Sequence, residues 1–294
     1  MFILGIDVGA TTIKSGLVDK DGKVKNFKKI KNQFANGEDF LIKQIADVIA
    51  VSKEKYKFEK VGIGFAGSVN YKRGIITSTA NMAGLKELYL KKELQKKCDI
   101  KISIDNDAHC FALAESTYGI GKNYKDILCI TLGTGIGGGI IINKKLYRGA
   151  DNKAGSIGHV VIDPTSDMPC GCGGLGHWES MASGKALSNY YKITTGQEVE
   201  GEIIAEMAER GEKIAQKTII QVGYNFALGV ANLLKILNPE IVIVGGSLIK
   251  IDLLWNTCLN NIPHILLGKS IANTRIVRSK LGEVAGVIGA ALLF

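Results

Sequence analysis

Two segments of the chain, one at the N-terminus and one near the middle, share a pattern of strand, glycine turn and strand. In each segment an apolar run ends in a glycine turn and then resumes as a second run. The residues of the two copies are Phe2 to Val8, Gly9-Ala10-Thr11 and Thr12 to Val18, then Ile127 to Leu132, Gly133 to Gly137 and Gly139 to Ile142. Alignment of the copies places Asp7 opposite Thr131 and Gly9 opposite Gly133. A repeated unit of this size predicts two similar α/β lobes.

Helical and strand patterns alternate through the rest of the chain, which predicts an α/β fold. The predicted helices are Glu38 to Lys55, Lys86 to Lys97, Ala108 to Tyr118, Glu179 to Tyr191, Glu212 to Leu237 and Glu283 to Leu293, and the further strands are Val61 to Phe65, Ile102 to Ile104 and Ile241 to Val244. No Pro-, Gly- or Ser-rich linker separates the halves. We therefore expect an N-terminal lobe at 1–118, to which the C-terminal helix could return, and a C-terminal lobe at 119–294.

The composition is that of a folded protein with a sizeable core: 294 residues, 46% hydrophobic and 22% charged. The six cysteines do not form a disulfide framework, because four of them lie singly within apolar or helical patterns. The net charge of +9 is spread over the chain. Its densest lysine clusters, Lys23 to Lys31 and Lys86 to Lys97, do not carry interleaved aromatic residues suited to base stacking. The charge is therefore better explained by solvated surfaces and attraction of an anionic substrate than by nucleic acid.

The N-terminus has no basic region before its apolar run and carries a carboxylate at Asp7. No uninterrupted apolar stretch reaches the roughly 18 residues that cross a bilayer. We therefore expect a cytoplasmic protein without a membrane partner.

The glycine turn at Gly133 to Gly138 contains the spacing of a dinucleotide-binding turn, G-x-G-x-x-G. That interpretation requires a helix directly after the glycines, whereas a β-branched strand, Ile140 to Ile142, follows. Gly268-Lys269-Ser270 also fails as a phosphate-binding Walker loop, because the position six residues before its lysine, where that loop requires its first glycine, is Pro263. Both common nucleotide motifs are disfavoured.

The two glycine turns instead fit a pair of hairpins whose backbone N–H groups approach phosphate oxygens, with threonine hydroxyls as further donors. For one such turn in isolation, the default explanation is a tight hairpin that binds no ligand. Because the turn is duplicated, nucleotide binding is the favoured explanation. Asp7 is expected to hold Mg²⁺ through water, and Lys14 either adds charge or is an exposed strand residue. The predicted nucleotide-binding residues are Asp7, Gly9, Thr11, Thr12, Lys14, Thr131, Gly133, Thr134, Gly135, Gly137, Gly245 and Gly246.

Six motifs occur in order along the chain: Asp7-Val8-Gly9-Ala10-Thr11-Thr12, Gly64-Phe65-Ala66-Gly67, Asn106-Asp107-Ala108, Leu132 to Gly138, Gly155-Ser156-Ile157-Gly158-His159, and Cys170-Gly171-Cys172-Gly173 through Gly176-His177-Trp178-Glu179. With them, nearly the whole chain resembles the sugar-kinase/actin/heat-shock-protein-70 nucleotide-binding fold. Within that fold it resembles the ROK family of repressors, open reading frames and kinases. The resemblance implies a two-lobed actin-like (ribonuclease H-like) ATPase fold. It also implies a sugar kinase that uses ATP and Mg²⁺ on a hexose or N-acylhexosamine, and commonly a homodimer.

Asp107 lies at the carboxyl end of a predicted strand, where α/β proteins usually bind ligands. Spacing alone favours an N-cap of the following helix slightly more than a catalytic role. The resemblance implies that Asp107 is the base that takes the proton of a sugar hydroxyl during phosphoryl transfer. Asp105, a competitor for that role, lies outside the match. The residues that the resemblance implies for sugar contact are Gly67, Asn81, Asn106, Asp107, His159 and Glu179.

A loop rich in glycine and proline contains four residues of the types that bind zinc, namely His159, Cys170, Cys172 and His177. Such a loop has little apolar content to order it, and a structural Zn²⁺ would supply folding free energy. Free thiols in a loop without metal are the alternative. The family pattern has one histidine and three cysteines, so His177 replaces a cysteine.

Ser156 is a second departure from the family, whose kinases usually carry glutamate there to accept from hydroxyls near C1 and C2 of the sugar. A serine leaves room beside C2 and removes a charged acceptor, which favours a 2-acetamido sugar. The change is similar to that in certain bacterial N-acetylmannosamine kinases, so we expect N-acetylmannosamine, with glucose as the alternative. A repressor would carry a DNA-binding segment before residue 7, for which we expect no room, and a non-catalytic sugar sensor is disfavoured by Asp7 and Asp107.

Overall fold

A computed structural model of the chain describes residues 2–79, 82, 84–85, 87–267 and 274–294. The described strands are β1 (Phe2–Val8), β2 (Thr12–Val18), β3 (Val24–Lys31), β4 (Phe58–Phe65), β5 (Ser68–Asn70), β6 (Ile75–Ser78), β7 (Lys101–Asn106), β8 (Ile127–Leu132), β9 (Ile136–Ile142), β10 (Lys145–Tyr147), β11 (Ile241–Gly245) and β12 (Arg275–Arg278). The described α-helices are α1 (Glu38–Lys55), α2 (Leu90–Lys97), α3 (Asp107–Thr117), α4 (Trp178–Ala182), α5 (Gly184–Thr195), α6 (Gly201–Glu209), α7 (Lys213–Leu237), α8 (Asp252–Leu266) and α9 (Ala285–Ala291).

Two five-stranded sheets have the same plan. Their strand orders are β3-β2-β1-β4-β7 and β10-β9-β8-β11-β12. In both, an antiparallel hairpin lies at one side, β2 with β3 and β9 with β10, and parallel pairs follow, β1-β4-β7 and β8-β11-β12. The strand–turn–strand repeat expected from the sequence is therefore the start of a repeat that includes five strands.

Contacts between residues divide the chain into two compact units. Unit 1 comprises residues up to 125 with 139–155 and 279–294, and unit 2 comprises 126–138 and 156–278. The expected division into lobes at 1–118 and 119–294 stays a prediction. In unit 1, α9 packs directly on the sheet: a Cβ on Gly5 would lie 2.0 Å from the Val287 carbonyl oxygen, and one on Gly62 would lie 1.7 Å from that of Ala290. Glycines in β1 and β4 thus permit the close approach of the C-terminal helix.

Each unit has a core built from the apolar faces of its own elements. In unit 1, α1 buries Leu41, Ile45 and Ile49 at helical spacing against the sheet. In unit 2, the Trp178 ring stacks on Phe226 with centroids 5.3 Å apart. Among the described helices only α7 is long and apolar enough to cross a membrane, and 61% of its apolar window is buried inside the protein, as expected for a core helix.

Several element boundaries differ from those expected. The single helix predicted at Glu179 to Tyr191 is two helices, because the Ser183 side chain accepts from the Ala186 N–H and starts α5 as an N-cap. The strand predicted to begin at Gly139 begins at Ile136, so Gly137 lies inside β9. The helix predicted from Lys86 begins at Leu90, and residue 86 itself lies outside the described residues.

Candidate active site

The carboxyl ends of three parallel strands in unit 1 bring Asp7 and Asp107 to one edge of the sheet. Asp7 in β1 pairs with Gly64 in β4, and Phe65 in β4 pairs with Asn106 at the end of β7. A Cβ on Gly64 would lie 3.5 Å from the Asp107 Cα, so little separates the two acidic residues at that level of the sheet. This is the edge at which α/β proteins bind ligands.

The two carboxylates influence each other. Burial, together with the negative charge of Asp107, raises the pKa of Asp7 to about 6, and the charge of Lys14 opposes that shift. Burial also raises the pKa of Asp107, although its hydrogen bonds favour the ionised form. Lys14 Nζ lies 3.9 Å from Asp7 Oδ2, and its side chain is only 21% exposed. Lys14 therefore points towards the acidic pair rather than lying in open solvent.

Asn106 fixes the start of α3. Its Oδ1 accepts from the backbone N–H groups of Ala108 and His109, which makes Asn106 the N-cap and Asp107 the first helical residue. Its Nδ2 donates to the Gly67 carbonyl oxygen and to Asp107 Oδ1, both at 3.0 Å. The amide of Asn106 thus orients the predicted base, and the capping role that spacing alone assigned to Asp107 belongs to its neighbour.

Asp105, the competitor for the role of base, is only 1% exposed and engaged by three side chains. Its Oδ2 accepts from Arg148 Nε at 2.8 Å, and its Oδ1 lies 3.0 Å from His109 Nδ1 and 3.1 Å from Asn152 Nδ2. The pKa of Asp105 is lowered overall. Burial alone would raise it, but the hydrogen bonds from His109, Asn152 and Arg148 outweigh burial. Asp105 is therefore a structural carboxylate.

The first glycine turn is closed by its own backbone and by Asn32. The Gly9 N–H donates to the Thr12 carbonyl oxygen at 2.9 Å, and the Asn32 N–H donates to that of Thr11 at 2.9 Å. The Asn32 side chain is buried, and its Nδ2 donates to the Gly9 carbonyl oxygen at 2.7 Å. Sequence reasoning missed Asn32, because its contact with the turn spans 23 residues.

The second glycine turn, in unit 2, lies between the ends of two parallel strands and the start of α5. Thr131 in β8 pairs with Gly245 in β11. Gly246 has a φ of +106°, and a Cβ there would lie 2.1 Å from the Leu132 carbonyl oxygen, so this position requires glycine. The Gly184 N–H donates to the Gly133 carbonyl oxygen at 2.8 Å. Around Gly133 itself an added Cβ would meet only Ser247 Oγ, at 3.8 Å, which leaves space beside the turn within unit 2.

The predicted sugar contacts fall in both units. Unit 1 contains Gly67, Asn106 and Asp107, as described above, while Asn81 lies outside the described residues. In unit 2, Ser156 is exposed and His159 is half-buried. Glu179 is buried in α4, and its Oε2 accepts from the Ile136 N–H at 2.8 Å. Its other oxygen, Oε1, lies 3.8 Å from Cys170 Sγ, which links Glu179 to the cysteine loop.

The four predicted metal ligands lie together in unit 2. One ligand atom from each of His159, Cys170, Cys172 and His177 lies within 4.8 Å of the others. Cys170 Sγ is 3.5 Å from His159 Nδ1, and Cys172 Sγ is 3.2 Å from His177 Nδ1. Tetrahedral zinc with two sulfur and two nitrogen ligands requires separations of about 3.4 to 3.8 Å. The donor set therefore fits zinc, and its four atoms lie near this spacing, all within 4.8 Å of one another.

A glycine that sequence reasoning did not single out shapes this cluster. A Cβ on Gly174 would lie 2.3 Å from His177 Cε1 and 2.5 Å from His177 Nε2. The Gly174 carbonyl oxygen also accepts from the Cys170 N–H at 2.8 Å. The position of the His177 ring therefore depends on the absence of a side chain at residue 174.

Comparison with known proteins identifies the class and then the family. A ROK-family glucokinase from Streptomyces griseus, solved with glucose and AMPPNP, is similar in structure with a TM-score of 0.89 and 30% identity over 100% of this chain and 99% of that one. The expected actin-like ATPase fold is thus confirmed. The ROK family model matches residues 3–294, so the chain belongs to the ROK family.

Two curated relatives show the range of sugars within this similarity. A glucokinase from Thermotoga maritima is 32% identical over 98% of this chain and 96% of its own length. An N-acetyl-D-glucosamine kinase from Aliivibrio salmonicida is also 32% identical, over 98% of each chain. The same overall similarity therefore extends to a kinase named for glucose and to one named for a 2-acetamido sugar.

Proposed function

We propose that this chain transfers the terminal phosphoryl group of ATP to the 6-hydroxyl of N-acetylmannosamine. At the coarser level, the chain is an ATP-dependent sugar kinase of the ROK family. The observation that carries the finer proposal is Ser156, which stands where family kinases usually have glutamate. We further propose that it works in the cytoplasm as a homodimer.

Asp107 is the proposed catalytic base. Phosphoryl transfer needs an oriented hydroxyl, an in-line phosphate and an acceptor for the hydroxyl proton. Burial raises the pKa of the Asp107 carboxylate, which makes it a stronger base than a carboxylate in water. The Asn106 amide orients it by a hydrogen bond. Proton transfer to Asp107 leaves the sugar oxygen free to attack the terminal phosphorus.

The glycine turns of the two units are the proposed phosphate-binding elements. In this proposal the turn that contains Gly9, Thr11 and Thr12 and the turn at Gly133 to Gly135 direct backbone N–H groups to phosphate oxygens. The support is the open space beside Gly133 and the requirement for glycine at 246, each seen within unit 2.

The acidic pair of unit 1 is a proposed site for Mg²⁺. Asp7 has a raised pKa and lies beside a second carboxylate, Asp107. A divalent cation would offset the repulsion between the two negative charges. Asp7 would hold the ion through water, and the bound ion would neutralise charge on the triphosphate. Lys14 adds a positive charge on the same side of Asp7.

We also propose a structural Zn²⁺ held by His159, Cys170, Cys172 and His177. Its support is the four ligand atoms within 4.8 Å of one another. The ion would order the loop and fix the His159 ring, whose second nitrogen would then serve the sugar.

The substrate proposal depends on the size and charge of the side chain at residue 156. A glutamate there would accept from hydroxyls near C1 and C2, and such a charged hydrogen bond contributes about 1.5 to 3 kcal/mol. Serine is shorter and uncharged, which removes that acceptor and makes room for an acetamido group at C2. Glucose is the second candidate, because the Thermotoga maritima relative is a glucokinase.

A coupled assay over glucose, mannose, fructose, N-acetylglucosamine and N-acetylmannosamine tests the proposal. We expect the highest kcat/KM for N-acetylmannosamine, and a clear preference for glucose would reject this choice. Ser156→Glu should then lower kcat/KM for N-acetylmannosamine and raise it for glucose, each by about tenfold or more. Ser156→Gln is the matched control, since it has the length of glutamate without its charge: it should exclude the acetamido sugar without the full gain for glucose.

A further inference from the structure

Asn32, the residue directly after β3, contacts the first glycine turn (residues 9–12) through both its side chain and its backbone. Its Nδ2 donates to the Gly9 carbonyl oxygen at 2.7 Å, and its backbone N–H donates to the Thr11 carbonyl oxygen at 2.9 Å. Its Oδ1 accepts from the Phe34 N–H at 3.0 Å. Asn32 is only 7% exposed. Because the amide nitrogen faces an acceptor and the amide oxygen faces a donor, the side chain has a single satisfied orientation.

Helix α1 holds the backbone on both sides of Asn32. Gln44 in α1 donates from Nε2 to the Lys31 carbonyl oxygen at 3.1 Å, and its Oε1 accepts from the Gln33 N–H at 3.1 Å. These two hydrogen bonds flank Asn32 in the sequence. The amide of Asn32 is therefore presented to the glycine turn from a segment that is itself fixed to a helix.

The contacts of Asn32 determine the direction of two N–H groups in the turn. A trans peptide bond is planar, so the carbonyl of one residue and the N–H of the next point in opposite directions. No cis peptide bond occurs among the described residues. Since the Gly9 and Thr11 carbonyls point at Asn32, the N–H groups of Ala10 and Thr12 point away from it.

The Gly9 N–H is used within the turn itself, because it donates to the Thr12 carbonyl oxygen at 2.9 Å. The N–H groups that Asn32 directs outwards are thus those of Ala10 and Thr12. Hydrogen bonds from such groups to a phosphate are charge-assisted and stronger than those between neutral groups. A peptide plane that rotated would present its carbonyl oxygen to the phosphate instead, which is repulsive.

We propose that Asn32 is a positioning residue for the nucleotide, which holds the peptide planes 9–10 and 11–12 so that the Ala10 and Thr12 N–H groups face a phosphate of ATP. The inference rests on the proposed function, because that function makes this turn a phosphate-binding element. Asn32 acts through the turn and does not itself contact the nucleotide. None of the six motifs that carry the family resemblance includes Asn32.

The first test is calorimetric binding of Mg-AMPPNP to Asn32→Thr. Threonine is neutral and keeps a hydroxyl that can accept from the Phe34 N–H, but it lacks the amide that donates to Gly9. We expect the Kd for Mg-AMPPNP and the KM for Mg-ATP to rise by about tenfold or more. The Kd for N-acetylmannosamine should change by less than about twofold, whereas a general loss of structure would weaken both. Wild-type affinity for Mg-AMPPNP in folded Asn32→Thr would overturn the proposal.

Asn36→Thr is the matched control, since Asn36 is an exposed asparagine of the same segment. It should bind Mg-AMPPNP as tightly as the wild type, and a loss equal to that of Asn32→Thr would overturn the specific role of residue 32. Asn32→Asp is a second variant of almost the same shape as asparagine. It keeps the acceptor for Phe34 and removes only the donor to Gly9, so its affinity for Mg-AMPPNP should fall at least as far. Wild-type affinity in Asn32→Asp would also overturn the proposal.

Amide hydrogen exchange of the wild type tests the same point without any variant. The N–H groups of Asn32 and Phe34 form two of the three bonds described above. If the nucleotide uses the turn that Asn32 holds, saturating Mg-AMPPNP should slow the exchange of both groups, because binding stabilises the closed turn. Exchange that is unchanged at saturation would contradict the link between Asn32 and the nucleotide.

These outcomes separate the inference from the proposed function. If the wild type binds Mg-AMPPNP but phosphorylates no sugar in the panel, the proposed function is wrong, and the affinities of the Asn32 variants still decide the role of Asn32. If the wild type is an active kinase and the Asn32 variants bind Mg-AMPPNP normally, the inference is wrong and the proposed function stands.

Discussion

Gly286 in α9 packs against the carboxyl group of Asp7. A Cβ at this position would lie 2.6 Å from both Cγ and Oδ2 of Asp7 and 3.1 Å from its Cβ. Ordinary contacts of this kind are about 3.4 Å or longer, so alanine displaces the carboxyl by roughly 1 Å. The backbone of Gly286 does not have a positive φ, and alanine in a helix is favoured over glycine by about 1 kcal/mol. Gly286→Ala is therefore expected to disturb the carboxyl group without disrupting the helix.

The expected defect is in the use of magnesium and ATP. A displacement of about 1 Å in a positioned group can cost up to about 100-fold in rate, so we expect kcat/KM for Mg-ATP to fall by about 10- to 100-fold. The KM for sugar should change by less than about twofold, because Asp7 is not among the proposed sugar contacts. Initial rates over a matrix of Mg-ATP and sugar concentrations measure both quantities, and a thermal melt checks that the variant is folded.

A double-mutant cycle with Asp7→Asn provides the control. If Gly286→Ala acts through Asp7, its effect should largely disappear in the Asp7→Asn background, because the group it displaces has already lost its charge. Equal losses in both backgrounds would mean that the substitution acts elsewhere. Wild-type kinetics in the single variant would refute the role given to the Asp7 carboxyl.

Three further predictions concern stability and metal. The pKa of Asp7 is raised from 3.8 to about 6, so the folded wild type loses stability as pH rises through that range. Asp7→Asn should therefore be more stable than the wild type by about 1 to 3 kcal/mol at pH 7. Urea titrations should show that this gain vanishes near pH 4. Gly174→Ala should push the His177 ring aside and lower zinc affinity about tenfold or more, as measured by metal analysis. Cys98→Ala is the control, because Cys98 lies outside the cluster, and it should retain the metal. Full zinc content in Gly174→Ala would contradict the site. Gly246→Ala should lower the free energy of unfolding by more than about 1 kcal/mol through its positive φ and its contact with Leu132, and an unchanged melting temperature would show that the turn relaxes freely.

Local patterns predicted the repeated elements well. The bounds of β1, β2, α1 and β8 are those expected from the sequence, because their signals lie within the elements: β-branched runs that end in glycine turns, and helical spacing of apolar residues. The four zinc-type residues were predictable for a similar reason. Cysteine and histidine are the side chains that bind zinc, and these four lie close together in the sequence. Whether a metal binds there stays a prediction.

Contacts between distant residues could not be predicted in this way. Asn32 closes the first turn from 23 residues away, and Gly286 touches Asp7 from the opposite end of the chain. His109 was not singled out, because only the folded chain brings its ring between Asp105 and Ala154. The break between α4 and α5 was missed because apolar periodicity continues on both sides of Ser183, whose capping hydrogen bond decides the boundary.

The role of Asp107 as the base is tested most directly by Asp107→Asn in a steady-state kinase assay combined with calorimetric sugar binding. Asparagine keeps the shape of the side chain, but it cannot accept the hydroxyl proton. We expect kcat to fall by about two orders of magnitude or more while the Kd for sugar changes little. Turnover close to that of the wild type would contradict the assignment of Asp107 as the base and, with it, the proposed mechanism of phosphoryl transfer.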